Sequence, residues 1–405
     1  MNTSYRRIAA YLMLLSGITH PAQMLVYGTA PEIRGPATTG MIFLLVGAGL
    51  LTPWRAFLWL ALALPLAGGL GALFRIAADV PTAFTYFHAL IDFVVVGLAG
   101  ASLAEGHPTL GRWLRRAAIA LVAVAGGGFI LLLSALRDNP ARPSVGELRV
   151  ARGPEADIEY YAGGPQTGHI VVLLPSFARS AADFNELATA LNRDGYRTLA
   201  IQPRGVEGSE LPSMLGTLHT YAADVDRVLA AEAVEEPAVL LGHAYGNRVA
   251  RTFASDFPER TRTLILLAAG GAAPTPPEVG TAILLAALKI VPEARRREAV
   301  DLAFFAEGNP VTDDWLRGWY PRAGIAEQNA SSATPYAEWG AGGEAPILIL
   351  EAEEDAVAAH GGAQLQAKFP NRVQLRKIPN AGHALLNERP QRIHDGVTGY
   401  LATLF

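Results

Sequence analysis

The chain has 405 residues, enough for two or three domains; 51% are hydrophobic, only 17% are charged, and the net charge is −4. The absence of cysteine excludes disulfides and thiol chemistry, and there is no basic cluster of the kind that binds nucleic acid. Charge is unevenly spread, with eight arginines, no lysine and four acidic residues up to Leu136, then 25 basic against 33 acidic residues. An apolar, arginine-only first third followed by an acidic remainder points to a membrane part joined to a water-facing part.

Five apolar stretches occupy that first third: Ile8–Tyr27, Ala37–Pro53, Trp54–Ile76, Thr82–Ala104 and Ala117–Leu136. Each approaches the roughly 20 residues that a helix needs to cross the hydrocarbon core, so residues 1–136 are expected to form a bundle of about five transmembrane helices. A cleaved signal peptide would account for the first stretch alone. Arg6, Arg7, Arg55, Arg112, Arg115 and Arg116 would share one side of the bilayer, with only Arg34 and Arg75 opposite. By the positive-inside rule the N-terminus is cytoplasmic, and an odd number of spans places the rest of the chain outside a plasma or inner membrane. The lipid bilayer is thus an expected partner. His88 and Asp92 are four apart on one face of the fourth stretch, and His20 lies inside the first. Ionisable groups at membrane depth can be functional. The reading favoured here is a hydrogen-bonded His–Asp pair joining helices, since no further ligand spacing completes a metal site.

Residues 137–157 are polar, punctuated by Pro140, Pro143, Gly146 and Pro154, and read as a linker ending in an edge strand pair. From 158 the pattern becomes strand and turn: Ile158–Tyr161, then the uniformly apolar Ile170–Leu174, as expected of a central parallel strand covered on both faces. That run ends at Pro175-Ser176-Phe177-Ala178-Arg179-Ser180 and a helical Ala182–Asn192. Thr198–Ile201 is another buried strand, followed by the turn Pro203-Arg-Gly-Val-Glu-Gly-Ser209 and a helix over Leu218–Ala231. Ala238–Leu241 is the next strand, Gly242-His-Ala-Tyr-Gly246 makes a sharp turn, and a helix starts at about Asn247.

This ordered set resembles the α/β-hydrolase superfamily from about Glu159 to the C-terminus. Gly242–Gly246 is similar to its G-x-S-x-G nucleophile elbow. Residue 203 onward resembles its R-G-x-G-x-S turn with one residue inserted. The resemblance implies a mostly parallel sheet with helices on both faces. It also implies that Pro175 and Ser176 replace a His-Gly pair, with the N–H groups of Phe177 and Tyr245 forming the oxyanion hole. The nucleophile position is occupied by Ala244, whose methyl group cannot attack a carbonyl.

Thr263–Ala268 is the next strand, and after Gly270-Gly271 the alternation breaks for about 70 residues. Ile283–Ile290, Arg295–Phe305 and Asp313–Trp319 look helical. In the superfamily this insertion is the cap, here at about 271–343, within a domain spanning 158–405. Trp315, Trp319, Tyr320 and Trp339 would either line a ligand site or pack the cap onto the body. Leu284, Leu285 and Leu288 would equally suit a membrane contact. Pro346–Leu350 is a strand followed by Asp355, where the superfamily places its catalytic acid. Val373–Ile378 is the last strand, and Asn380-Ala-Gly-His383 resembles the signature of the catalytic base. The other histidines of this half carry no such context.

Asp355 and His383 retain the acid and base of a Ser-His-Asp scheme without the serine. The chain is therefore expected to act on a small or medium apolar ester, lactone or related carbonyl compound, with no cofactor or metal. His383 would activate water or abstract a substrate proton, as in lyase or cofactor-free oxygenase chemistry. Ser176 would be an alternative nucleophile. The other readings are an introduced Ser-to-Ala change at 244 and a non-catalytic ligand-binding or scaffold pseudohydrolase. The sequence carries no signal of oligomeric state.

Overall fold

The computed structural model describes residues 3–27, 31–77, 83–104, 109, 112–113, 116–117, 135–271, 273–359 and 361–405. The chain divides into two units, Met1–Leu133 and Ser134–Phe405.

In the first unit, the long apolar runs form α1 (Thr3–Tyr27), α2 (Pro31–Leu50), α3 (Ala56–Ala77) and α4 (Ala83–Leu103). α1 packs on α2 and α4, and α3 packs on α4. Glycine allows the close approach of α1 and α2. A Cβ at Gly40 would lie 2.7 Å from the Gly17 carbonyl oxygen, and one at Gly17 would lie 2.7 Å from Leu44 Cγ. The buried Arg6 Nε donates to Leu50 O at 2.7 Å, satisfying a carbonyl at the end of α2. Among the described residues, two helices are long and apolar enough to cross a membrane, Ala56–Leu73 and Phe84–Leu103; Thr38–Leu50 is a shorter apolar segment. Most of the fifth expected span, Ala117–Leu136, lies outside the described residues.

The expected His88–Asp92 pair does not form. The His88 ring stacks on His20 instead, with centroids 3.6 Å apart, and its Nε2 lies 2.8 Å from Thr19 Oγ1. His20 Nδ1–H donates to Ser16 O at 2.8 Å. Asp92 is buried with Oδ1 unpartnered among the described residues. One helix face can satisfy the i, i+4 spacing while a neighbouring helix offers the better partner, and here α1 supplies it.

The second unit is organised by an eight-stranded sheet in the order β1-β2-β4-β3-β5-β6-β7-β8. The strands are β1 (Glu147–Ala151), β2 (Ile158–Gly163), β3 (Ile170–Leu174), β4 (Arg197–Ile201), β5 (Ala238–His243), β6 (Thr261–Leu267), β7 (Ile347–Ala352) and β8 (Val373–Ile378). β2 is antiparallel to β1 and β4; the remaining pairs are parallel. β4, β5 and β7 are buried along their whole length, which is why Leu199–Ile201, Ala238–Leu241 and Ile347–Leu350 run apolar without alternation. Their side chains feed one core on each face of the sheet.

The flanking helices are α5 (Asn185–Arg193), α6 (Leu218–Ala231) and α7 (Tyr245–Asp256) before the cap, and α13 (Gly361–Lys368), α14 (Leu385–Glu388) and α15 (Pro390–Leu401) after it. Between β6 and β7 the cap is helical: α8 (Pro277–Ala287), α9 (Glu293–Phe304), α10 (Asp313–Leu316), α11 (Pro321–Ala333) and α12 (Tyr336–Trp339). The sequence pattern does not predict α11, because its Ala, Gly, Asn and Ser residues carry almost no apolar periodicity.

The stretch read as linker is tied to this cap. Asn139 and Trp319 exchange backbone hydrogen bonds of 2.9 and 3.0 Å, and Asn139 Nδ2 donates to Leu316 O at 2.6 Å.

Candidate active site

The turn after β5 exists because two residues have no side chain. A Cβ at Gly242 would lie 2.5 Å from the Gly246 carbonyl group, and one at Gly246 would lie 2.1 Å from Leu174 O. Between them Ala244 has φ 50° and ψ −105°, a backbone conformation costing about 1–3 kcal/mol for a residue with a Cβ. It is held by Ala244 N–H donating to Leu267 O at 3.0 Å and by Asn247 Nδ2 donating to the same oxygen at 2.7 Å. Tyr245 opens α7, so the positive end of that helix faces the turn.

Asp355 stands in the turn after β7 and His383 in the turn after β8, and adjacent parallel strands bring them together. His383 Nδ1 lies 3.0 Å from both Asp355 carboxylate oxygens, and both side chains are 2% exposed. Asp355 Oδ1 also accepts from the N–H groups of Val357 and Ala358 at 2.9 and 2.8 Å. Burial by itself would raise the Asp355 carboxyl. The His383 ring and the two N–H groups outweigh it and hold the carboxyl below its ordinary value. An ionised Asp355 can only accept, so the hydrogen of this contact sits on His383 Nδ1. Among the described residues Nε2 has no hydrogen-bond partner.

His243, immediately before Ala244, donates from Nε2 to the His383 carbonyl at 2.9 Å, with the two rings 5.2 Å apart. Burial, followed by the nearby His383 ring, pushes His243 down to about 3, so it stays neutral. The Phe304 ring of α9 lies 5.8 Å from the His383 ring.

The segment after β3 supplies the facing loop. Ala178 has φ 55°, and Arg179 N–H donates back to Ser176 O at 3.2 Å. Outside helix and strand ladders, neither the Phe177 nor the Tyr245 N–H donates to a backbone acceptor among the described residues. The next amide, Ala178 N–H, donates to Glu327 Oε2 of α11 at 2.6 Å. Glu327 is fully buried, its Oε1 has no partner among the described residues, and burial pushes its carboxyl up to about 8. Ser176 is buried, and no hydrogen bond joins its hydroxyl to His383 among the described residues.

The tryptophans are packed into the cap. Trp315 and Trp319 are buried and clamp the guanidinium of Arg179, 4.7 and 4.9 Å from their ring centres. Their indole N–H groups donate to Asn387 Oδ1 and Trp315 O. Trp339 belongs to a different cluster, stacked against Arg251 at 4.6 Å and edge-on to Tyr336. An aromatic residue in a cap buries as much area against the body as against a ligand, so sequence alone does not separate the two roles. Glu327 had no signal in sequence beyond its place three residues after Gly324. Among the described residues no group of three or more His, Cys, Asp or Glu side chains is placed to hold a metal ion.

A strand-to-helix elbow, an acid–base pair at consecutive strand ends and a helical cap define the α/β-hydrolase class. The family profile described as serine aminopeptidase, S33, matches residues 165–390, more than half of the chain, and the chain belongs to that family. It is 25% identical over 259 residues to the sn-1-specific diacylglycerol lipase ABHD11 of Mus musculus, covering 59% of this chain and 83% of that protein. It is also 25% identical over 268 residues to the non-heme chloroperoxidase of Streptomyces lividans, covering 60% of this chain and 96% of the other. Among solved structures, the esterase RhEst1 from Rhodococcus sp. ECU1013 superposes with a TM-score of 0.54 at 20% identity, over 64% of this chain and 99% of that one.

Proposed function

We propose that this protein is a membrane-anchored enzyme of the α/β-hydrolase fold that acts on a small or medium apolar ester, lactone or related carbonyl compound. His383 works as the base in place of a serine nucleophile. The observation that carries this reading is the Asp355–His383 pair: Asp355 holds Nδ1, and Nε2 has no partner among the described residues. A methyl group at position 244 offers His383 no hydroxyl to activate, which leaves water or a substrate C–H as the proton source. The unengaged N–H groups of Phe177 and Tyr245 suit stabilisation of a developing oxyanion. The diacylglycerol lipase and esterase likenesses support a carbonyl substrate, and the apolar helices of the first unit support a membrane anchor.

The test is turnover of a panel of apolar esters, lactones and ketones by the full chain in detergent micelles, compared with His383→Ala. A loss of about 10²–10⁴-fold is expected for at least one compound, the usual contribution of a positioned base. A panel turned over equally by both proteins overturns His383 as the base, and a panel turned over by neither favours a ligand-binding domain.

A further inference from the structure

Glu327 is a buried carboxyl that the scheme above leaves unused. It lies on the face of α11 that closes on the loop after β3. Three residues earlier, a Cβ at Gly324 would sit 2.9 Å from Ala178 Cβ and 3.2 Å from the Phe177 ring. Glycine at 324 thus lets the helix rest directly on the two residues that follow Ser176. Glu327 reaches the same loop, accepting the Ala178 N–H at 2.6 Å through Oε2. Its other oxygen, Oε1, is buried with no protein partner among the described residues.

A buried polar atom without a partner requires an explanation. A carboxylate with one hydrogen bond and no counter-charge would be costly in such a place, and burial keeps this group protonated up to about pH 8. In the acid form Oε2 is the carbonyl oxygen, which accepts from Ala178, and Oε1 is the hydroxyl. That hydroxyl is a donor without an acceptor among the described residues. The titratable groups electrostatically coupled to it are Tyr245 of α7 and Tyr221 of α6, both raised further by burial and therefore neutral.

We propose that Glu327 is a further acid of this site, whose free Oε1 hydroxyl donates to the carbonyl oxygen of an apolar ligand bearing an α-hydrogen, opposite His383. This rests on the reading of His383 as the base, and it narrows the chemistry from acyl transfer to enolisation. The α-C–H bond breaks and its proton passes to His383 Nε2. The electron pair forms the carbon–carbon double bond. The carbonyl π pair moves to oxygen and takes the Glu327 proton. The products are the enol, an imidazolium and a carboxylate, and the reverse steps return both protons. No oxidant, reductant or co-reactant enters. Without a serine at 244, no hydroxyl competes for the carbonyl carbon.

The test uses the full chain in detergent micelles with 2-octanone as probe, and octane as a control without a carbonyl. The carboxylic-acid band of Glu327, isolated as the infrared difference between wild type and Glu327→Gln at pH 7, is expected to shift with 2-octanone and not with octane. In heavy water the wild type is expected to exchange the α-hydrogens of 2-octanone. His383→Ala should slow this by about 10²-fold or more, and Glu327→Gln by about 10–10²-fold with ketone affinity unchanged. The wild-type rate should fall above about pH 8, a limb absent from Glu327→Gln, which cannot ionise. Glu327→Met, similar in volume and lacking both donor and acceptor, replaces the amide variant if that fails to fold. A band indifferent to 2-octanone overturns the proposal and leaves Glu327 as a structural proton pinning the loop, whatever the exchange rates. Exchange lost in His383→Ala but intact in Glu327→Gln overturns the proposal while sparing the base. A band that shifts without exchange in any variant overturns the proton transfer together with the reading of His383.

Discussion

The imidazole of His243 donates to the main-chain carbonyl of His383 at 2.9 Å, so the residue before the elbow and the base are joined by one buried hydrogen bond. His243→Leu removes the donor, leaves a buried carbonyl unsatisfied and is expected to cost about 1–3 kcal/mol in denaturant unfolding. Unchanged stability would show that the carbonyl finds another donor.

Ala244 occupies a strained turn from which an alanine draws no chemical benefit. Ala244→Ser restores a hydroxyl where the backbone is already held. This variant is expected to gain esterase activity and to label with a fluorophosphonate probe, while the wild type does not label at 244. Labelling of the wild type at Ser176 would instead identify that residue as the nucleophile. Ala244→Gly should raise stability by about 1 kcal/mol, because glycine tolerates φ 50° without a Cβ clash. A lower melting temperature would refute the strain argument.

The neighbouring glycine has the opposite sensitivity. A Cβ at Gly246 would stand 2.1 Å from Leu174 O, a backbone atom inside the sheet that cannot step aside. Gly246→Ala is expected to destabilise by about 3 kcal/mol or more, read as loss of soluble folded protein or of melting temperature. A well-folded Gly246→Ala protein would mean that β3 and α7 separate more easily than their packing implies.

Two carboxyls impose opposite pH dependence. Glu327 is raised to about 8, so its proton stabilises the fold most fully below the ordinary glutamate range. That stability is lost as pH rises through about 8, and the total at stake is on the order of a few kcal/mol. Asp355 is lowered, so its stabilisation is present above the ordinary aspartate range and is lost as pH falls through its folded value. Melting curves from about pH 2 to pH 9 should show both trends, the acidic one below the ordinary aspartate range. Glu327→Gln should remove the alkaline decline and Asp355→Asn the acidic one. A variant that shifts the whole curve without changing its slope would contradict the assignment.

For the anchor, residues 137 onward are expected outside the cytoplasm. Protease added to spheroplasts should remove them, and protection would reverse the orientation. Recovery of the whole chain in the soluble fraction would refute the anchor itself.

Much of the second unit is legible in its sequence because the local physics is decisive there. Strands such as Ala238–His243 and Ile347–Ala352 are covered on both faces, so Ala238–Leu241 and Ile347–Leu350 read as unbroken apolar runs. Gly242 and Gly246 declare a turn that no other residue fits. The order of elbow, acid and base places Asp355 and His383 at strand ends before any distance is known. Tertiary structure alone decided the rest. That β7 and β8 are neighbours sets the 3.0 Å separation of His383 and Asp355. That Arg179 lies between Trp315 and Trp319 is set by how the cap meets the loop after β3. That α1 offers Thr19 and His20 to His88 leaves Asp92 without the partner its spacing predicts. Glu327 is the extreme case. In sequence it is one acid in a polar run, and only the close approach of α11 at Gly324 buries it against the loop after β3. Periodicity reports which face of an element is buried; it carries no information about what that face meets.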